Sequence, residues 1–256
     1  MSVSRIPVVT ALKPEDPYDV IFAAVRYTQI ASVMDTLRAS RAKAIIFVGN
    51  NVRAAETAAL LPEKTVLFAF TSAAGHRERS YVASVDLRKI TIGPLSGAPS
   101  AERLIGEIFA GTKYKVTYEP NMGGLSPVPR GVRAAGSLCV LQDGRRSEKA
   151  QGNTAYLNRM IDANLEGYRA IRNAGHAILP KEDADFEGAA YRRTCLRFFK
   201  LMCATILGKI CASDHAMNAV DEMSALNRDL KKFFDENGTA YPVWQALERK
   251  SGKYLQ

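Results

Sequence analysis

Three short, unbroken apolar runs constrain this chain most. DVIFAAV (Asp19 to Val25), AIIFVG (Ala44 to Gly49) and TVLFAF (Thr65 to Phe70) carry no polar alternation, and helical stretches, TQIASVMDTLRAS and NVRAAETAALL, follow the first two. Runs of this length without alternation fit strands covered on both faces, and the intervening helices suit right-handed parallel crossovers. The pattern predicts a parallel α/β sheet. RKITIGPL and KYKVTYE read as two further strands, with AERLIGEIFAG as a helix between them.

The period changes after Asn153. Leu157, Met160, Ile161, Leu165, Tyr168 and Ile171 follow helical spacing, and Gly175 is placed to stop that helix. Phe186 to Ile210 and Ser213 to Phe234 read as two long helices, the second closed by Asn237-Gly238. Pro242 suits the first turn of a last helix, PVWQALERK. The expectation is a partial Rossmann-like parallel sheet over residues 1–120, followed by an all-α domain over 121–256.

A chain of 256 residues, 47% hydrophobic and 24% charged, has the composition of an ordinary globular protein. The longest apolar run, Val20 to Val25, is strand-sized and far short of a membrane span. The opening MSVSRIPVV has neither the apolar core nor the cleavage site of a signal peptide. A formal charge of +9 favours phosphate-bearing partners in general. Lys and Arg are spread along the chain rather than clustered with aromatics, which argues against nucleic acid. The four cysteines form no C-x-x-C pair. Cys195, Cys203 and Cys211 recur in an apolar helical segment and read as buried free thiols in a reducing, cytoplasmic compartment. No pair of His, Cys or acidic residues has the spacing of a metal site.

The stretches DPYDVIFAAVRYTQIASVMDTL, FVGNN, FAFTSAAGHRE and HAMNAVDEMSALNRDLKKFFDENGTAYP together resemble a divergent branch of the ketopantoate reductase (2-dehydropantoate 2-reductase) family. The resemblance implies an NADP-dependent oxidoreductase of pantothenate biosynthesis. A Rossmann domain would bind the dinucleotide, and a C-terminal domain of the 6-phosphogluconate-dehydrogenase type would close over a 2-keto acid. It also implies a possible homodimer, with no membrane or nucleic-acid partner. By that match Arg26 stands where the family carries a Lys near cofactor and substrate, and Asn50 falls on the Asn of the family's N-G turn, beside the nicotinamide. Glu222 falls on the family's catalytic-site carboxylate, and Asp214 on an acid of the same helix that would bind substrate. From the residues alone, Asn50-Asn51 reads equally as a turn and helix cap, and Glu222 as a solvated acid. His76 and His215 are alternative proton donors, or structural histidines.

Two parts of the family pattern are not found. No G-x-G-x-x-G occurs in the chain, and the family's opening strand and following unit have no counterpart. Reducing a ketone builds negative charge on its oxygen, so a cation or proton donor must be aimed there. The family's donor Lys aligns with Pro127, and its helix asparagines with Gly131 and Ala135, inside GGLSPVPRGVRAAGSLCVLQDGRR (Gly123 to Arg146). Pro127, Pro129, Gly131 and Gly136 disfavour a helix there. The segment reads as a linker, as a basic patch around Arg130, Arg133, Arg145 and Arg146, or as a helix read in a shifted frame. The expectation is weak or no reductase activity, with a catalytically inactive, dimerising or scaffold homologue as the competing reading.

Overall fold

The computed structural model describes residues 7–77, 82–122, 152–178, 183–205 and 220–251. Within them five strands form one sheet in sequence order: β1 (Val20–Ala23), β2 (Ala44–Val48), β3 (Thr65–Arg77), β4 (Val82–Gly93) and β5 (Lys115–Tyr118). Between them run α1 (Ile30–Ala39), α2 (Ala54–Ala59) and α3 (Pro99–Phe109). The remaining elements are helices: α4 (Thr154–Asn173), α5 (Ala189–Cys203), α6 (Val220–Glu236) and α7 (Pro242–Ser251).

The middle of the sheet explains the unbroken apolar runs. Ala44 to Phe47 are all buried, and successive side chains of a strand point to opposite faces. Ile45 and Phe47 pack with Met34 and Leu37 of α1 and Ala54 of α2. Ile46 packs on the other face with Ala101 and Ile105 of α3. Helices therefore cover both sides, as the runs required. β1 is the exception. Among the described residues it pairs only with β2, and Phe22 remains 45% exposed.

The sheet is mixed rather than wholly parallel. β1–β2, β2–β3 and β4–β5 are parallel, but β3–β4 is antiparallel. Only residues 78–81 separate β3 from β4, whereas a parallel return needs a crossover of a dozen or more residues. The strands also run well past Phe70, the end of the apolar run. The ladder continues to His76↔Ala83 and Arg77↔Val82, with a register shift between Thr71 and Ala73. Arg88, with φ 51°, sits on the opposite strand beside this irregularity, and its N–H donates to Asp86 Oδ1 at 2.8 Å. At the other end of β4, a Cβ on Gly93 would stand 1.8 Å from the Glu119 carbonyl oxygen. Glycine is required there for the chain beyond β5 to lie against β4.

The helical region is closed by matched stops. His176 N–H donates to Ile171 O and Gly175 N–H to Arg172 O, with Gly175 at φ 76°. Thr239 N–H donates to Phe234 O and Gly238 N–H to Asp235 O, with Gly238 at φ 58°. Both are Schellman caps, in which a left-handed glycine lets the chain satisfy the last helical carbonyls. Pro242 opens α7 as expected. The helix expected from Phe186 instead starts at Ala189. Phe186 belongs to the preceding turn, buried and stacked on Tyr168 at 5.2 Å. Trp244 is fully buried against Phe234. Cys195 and Cys203 are free but only half-buried, which corrects the buried-thiol reading. Cys139, Cys211 and the segment Gly123 to Arg146 lie outside the described residues.

Candidate functional site

Parallel strands β1 and β2 release their chains at the same edge of the sheet. Arg26 and Tyr27 follow β1, and Gly49 to Arg53 follow β2. Gly49 has φ 132°, a backbone state that L side chains rarely adopt. It is a glycine position because the chain turns there to present Asn50. α6 comes from the helical region and meets both loops.

The contacts are specific. Asn50 Nδ2 donates to Glu222 Oε1 at 3.1 Å, and Tyr27 N–H reaches the same oxygen at 3.5 Å. The Tyr27 hydroxyl donates to Asp229 Oδ2. Arg26 Nη1 pairs with Asp221 Oδ1 at 3.3 Å. Glu222 and Asp229 are seven residues apart on α6, two helical turns, so one face of α6 meets both ends of Tyr27. Glu222 is only 6% exposed. It is a buried carboxylate met by donors, and not the solvated acid that composition alone suggests. Arg26 and Asp221 remain half-exposed at the rim.

The adjacent asparagines divide two roles. Asn51 is buried; its Oδ1 accepts from Arg53 N–H at 3.0 Å and its Nδ2 donates to Thr57 Oγ1 at 3.0 Å. Asn51 thus holds the turn into α2, while Asn50 faces Glu222. Arg53 pairs with Glu56 at 2.7 Å and adds a cation near Tyr27 and Asp229. Burial first, and then the Asp229 hydrogen bond, push the Tyr27 hydroxyl far above the ordinary tyrosine value, so it stays protonated as a donor.

Of the residues singled out from sequence, Arg26, Asn50 and Glu222 come together. Asp214 and His215 lie outside the described residues, as does the side chain of His76, whose backbone belongs to β3. Tyr27, Asp221 and Asp229 were not foreseen. The seven-residue spacing of Glu222 and Asp229, with Ala225 and Leu226 between them, is the one sequence signal that points to a shared face. Among the described residues no cluster of three or more His, Cys, Asp or Glu side chains is arranged for a metal. No described helix is long and apolar enough to cross a membrane.

No protein-family model and no curated protein matches the sequence. Solved structures do match the fold. A dimeric ketopantoate reductase from Staphylococcus aureus superposes with a TM-score of 0.69 at 14% identity, over 93% of this chain and 78% of its own. A 2-dehydropantoate 2-reductase from Geobacter metallireducens GS-15 gives 0.69 at 15% identity, over 94% and 79%. D-mandelate dehydrogenase, in a ternary structure with NADH and anilino(oxo)acetate, gives 0.74 at 8% identity, over 98% and 81%. At these identities the likeness concerns architecture. The chain has the fold of the ketopantoate reductases, a Rossmann-like α/β sheet followed by a mostly helical part.

Proposed function

We propose that this protein is a 2-dehydropantoate 2-reductase-type protein whose site lies where Arg26, Asn50 and Glu222 meet, and that its turnover is impaired. The convergence of these three residues at the carboxyl ends of β1 and β2 carries the reading, because ligands of open α/β sheets bind at that edge. The proposed organisation places the dinucleotide part in residues 1–120 and the helical part in 121–256. NADP is the proposed cofactor, a 2-keto acid the proposed substrate, and the cytoplasm the proposed compartment.

The residues present fit the nicotinamide end of a dinucleotide site. Gly49 leaves bare backbone there, with only the Val25 carbonyl, among the described residues, within 4 Å of where a Cβ would stand, at 3.8 Å. They do not fit its phosphate end, since no G-x-G-x-x-G occurs in the chain. Bound NADPH would supply the hydride that reduces the ketone. Asn50 orients the Glu222 carboxylate through its amide N–H. Glu222 is then placed to accept a hydrogen bond from a substrate hydroxyl, with Asp214 as a further substrate contact. The proton donor is missing from this set. Arg26 already pairs with Asp221, and the family's Lys position holds Pro127.

NADPH oxidation with ketopantoate tests the proposal. Weakened NADPH binding by calorimetry, as the missing phosphate turn requires, with turnover below about 1 per second is expected. Turnover at or above that rate overturns the impairment. Absence of NADPH binding overturns the reductase reading. A defined homodimer without NADPH binding would favour the scaffold reading instead; the Staphylococcus aureus neighbour is a dimer.

A further inference from the structure

α6 sends two successive carboxylates to the loops after β1 and β2, and they end in different surroundings. Glu222 is 6% exposed and accepts from Asn50 Nδ2 and Tyr27 N–H. Asp221 stands at the rim, where its Oδ1 and Oδ2 accept from Arg26 Nη1 at 3.3 and 3.5 Å. Neighbouring helical positions point about 100° apart, so α6 buries the one and turns the other outward. The Arg26 and Asp221 side chains are 49% and 57% exposed.

An ion pair this exposed adds little to stability. Nor is it needed to join α6 to the loops, because the Asn50–Glu222 and Tyr27–Asp229 bonds already do so. Its effect falls instead on an approaching anion. Among the described residues of this site, the carboxylates of Glu56, Asp221, Glu222 and Asp229 stand against two guanidinium groups, Arg26 and Arg53. The chain as a whole carries +9, so the local balance runs against the global one. Arg53 is engaged with Glu56 at 2.7 Å. Arg26 is then the cation of the rim that a ligand's carboxylate would meet, and Asp221 already sits on its Nη1. A ligand anion must displace Asp221 from that nitrogen or bind beside a like charge, and either weakens its binding.

We propose that Asp221 is a specificity-determining residue of this site: it holds the Arg26 guanidinium as a ligand's carboxylate would, and so lowers the affinity for 2-keto acids. The inference rests on the reading of the site as that of a 2-keto acid reductase. It adds a second cause of impaired turnover, separate from the missing phosphate turn, and one that a single substitution relieves. Opening the rim pair leaves the buried Glu222 contact in place.

A ligand-observed NMR titration of the full chain with ketopantoate, a method that reads weak affinities, tests it. Asp221→Asn should tighten ketopantoate at least about fivefold, the effect of one charge at contact distance in water. Its melting temperature should stay close to that of the parent, because the lost pair is half-exposed. Asp221→Glu keeps the charge and should stay within about twofold of the parent. Asp35→Asn removes an exposed acid that pairs with Arg38 away from the site; it should leave the affinity unchanged, which separates a local effect from net charge. If Asp221→Asn does not fold, Asp221→Ser decides, with the same tightening expected. Binding without tightening in the deciding variant overturns this inference alone, as does equal tightening by Asp221→Glu or Asp35→Asn. Absence of ketopantoate binding in the parent and in every variant overturns the reductase reading, and this inference with it.

Discussion

Asn50 and Glu222 are 172 positions apart, yet share a hydrogen bond. Tyr27 is held at both ends by the same helix, through its N–H to Glu222 and its hydroxyl to Asp229. Its hydroxyl is held above the ordinary value of 10.0 by burial and by Asp229. A raised value in the fold means that the native state keeps the proton more tightly than the unfolded chain. The stabilisation is therefore complete below the unfolded value and is lost as pH rises above it towards the folded value. Tyr27→Phe removes that ionisation. Its urea midpoint should fall less between about pH 8 and about pH 11 than that of the parent, while costing about 1 kcal/mol near neutrality for the lost hydrogen bond. An equal alkaline fall in both proteins would show that Tyr27 does not titrate in this way. Nothing in the local sequence marks Tyr27, because its burial and its acceptor both come from α6.

At the scale of elements, α7 is stabilised from a distance. Glu166 of α4 accepts from Val243 N–H at 2.9 Å and Trp244 N–H at 2.8 Å, two donors of the first turn that have no partner within their own helix. Burial raises the Glu166 carboxyl, against the opposing pull of those two bonds. Glu166→Ala leaves both donors unpaired and should cost about 1–3 kcal/mol, with Glu166→Gln costing less because an oxygen remains. Trp244, the only tryptophan of the chain, reports this by its fluorescence in urea. Equal losses for the two substitutions would argue against a capping role. The period of 3.6 and the stops at Gly175 and Gly238 were legible in sequence, since helix stripes and glycine caps are local features. The β3–β4 ribbon was not. Its outer half, Ser72 to Arg77, has small and polar residues without a strand pattern, and it is extended because it pairs with β4.

At the scale of the molecule, the sheet and the helices are joined by side-chain bonds between the β1 and β2 loops and α6. If Asn50 and Glu222 act as one contact, Asn50→Ala and Glu222→Ala should be non-additive. A coupling of about 0.5–3 kcal/mol is expected from a double-mutant cycle in urea unfolding. Losses that add within about 0.3 kcal/mol would mean that the two residues are held independently. The same cycle on Tyr27→Phe and Asp229→Ala should couple in the same range, because those side chains also meet directly.

The sequence by itself determined the order of strands and helices, the coverage of β2 on both faces and the helix stops. Each is written in the spacing of apolar residues or in short motifs, and needs no knowledge of distant contacts. Only the tertiary structure decided that β4 runs antiparallel, that Asn51 holds a turn while Asn50 faces Glu222, and that Glu222 is buried rather than solvated. Those outcomes depend on which distant segments pack together. Hydrophobic periodicity tells each segment which face to bury, but the partner on the other side is chosen by the packing of the whole chain.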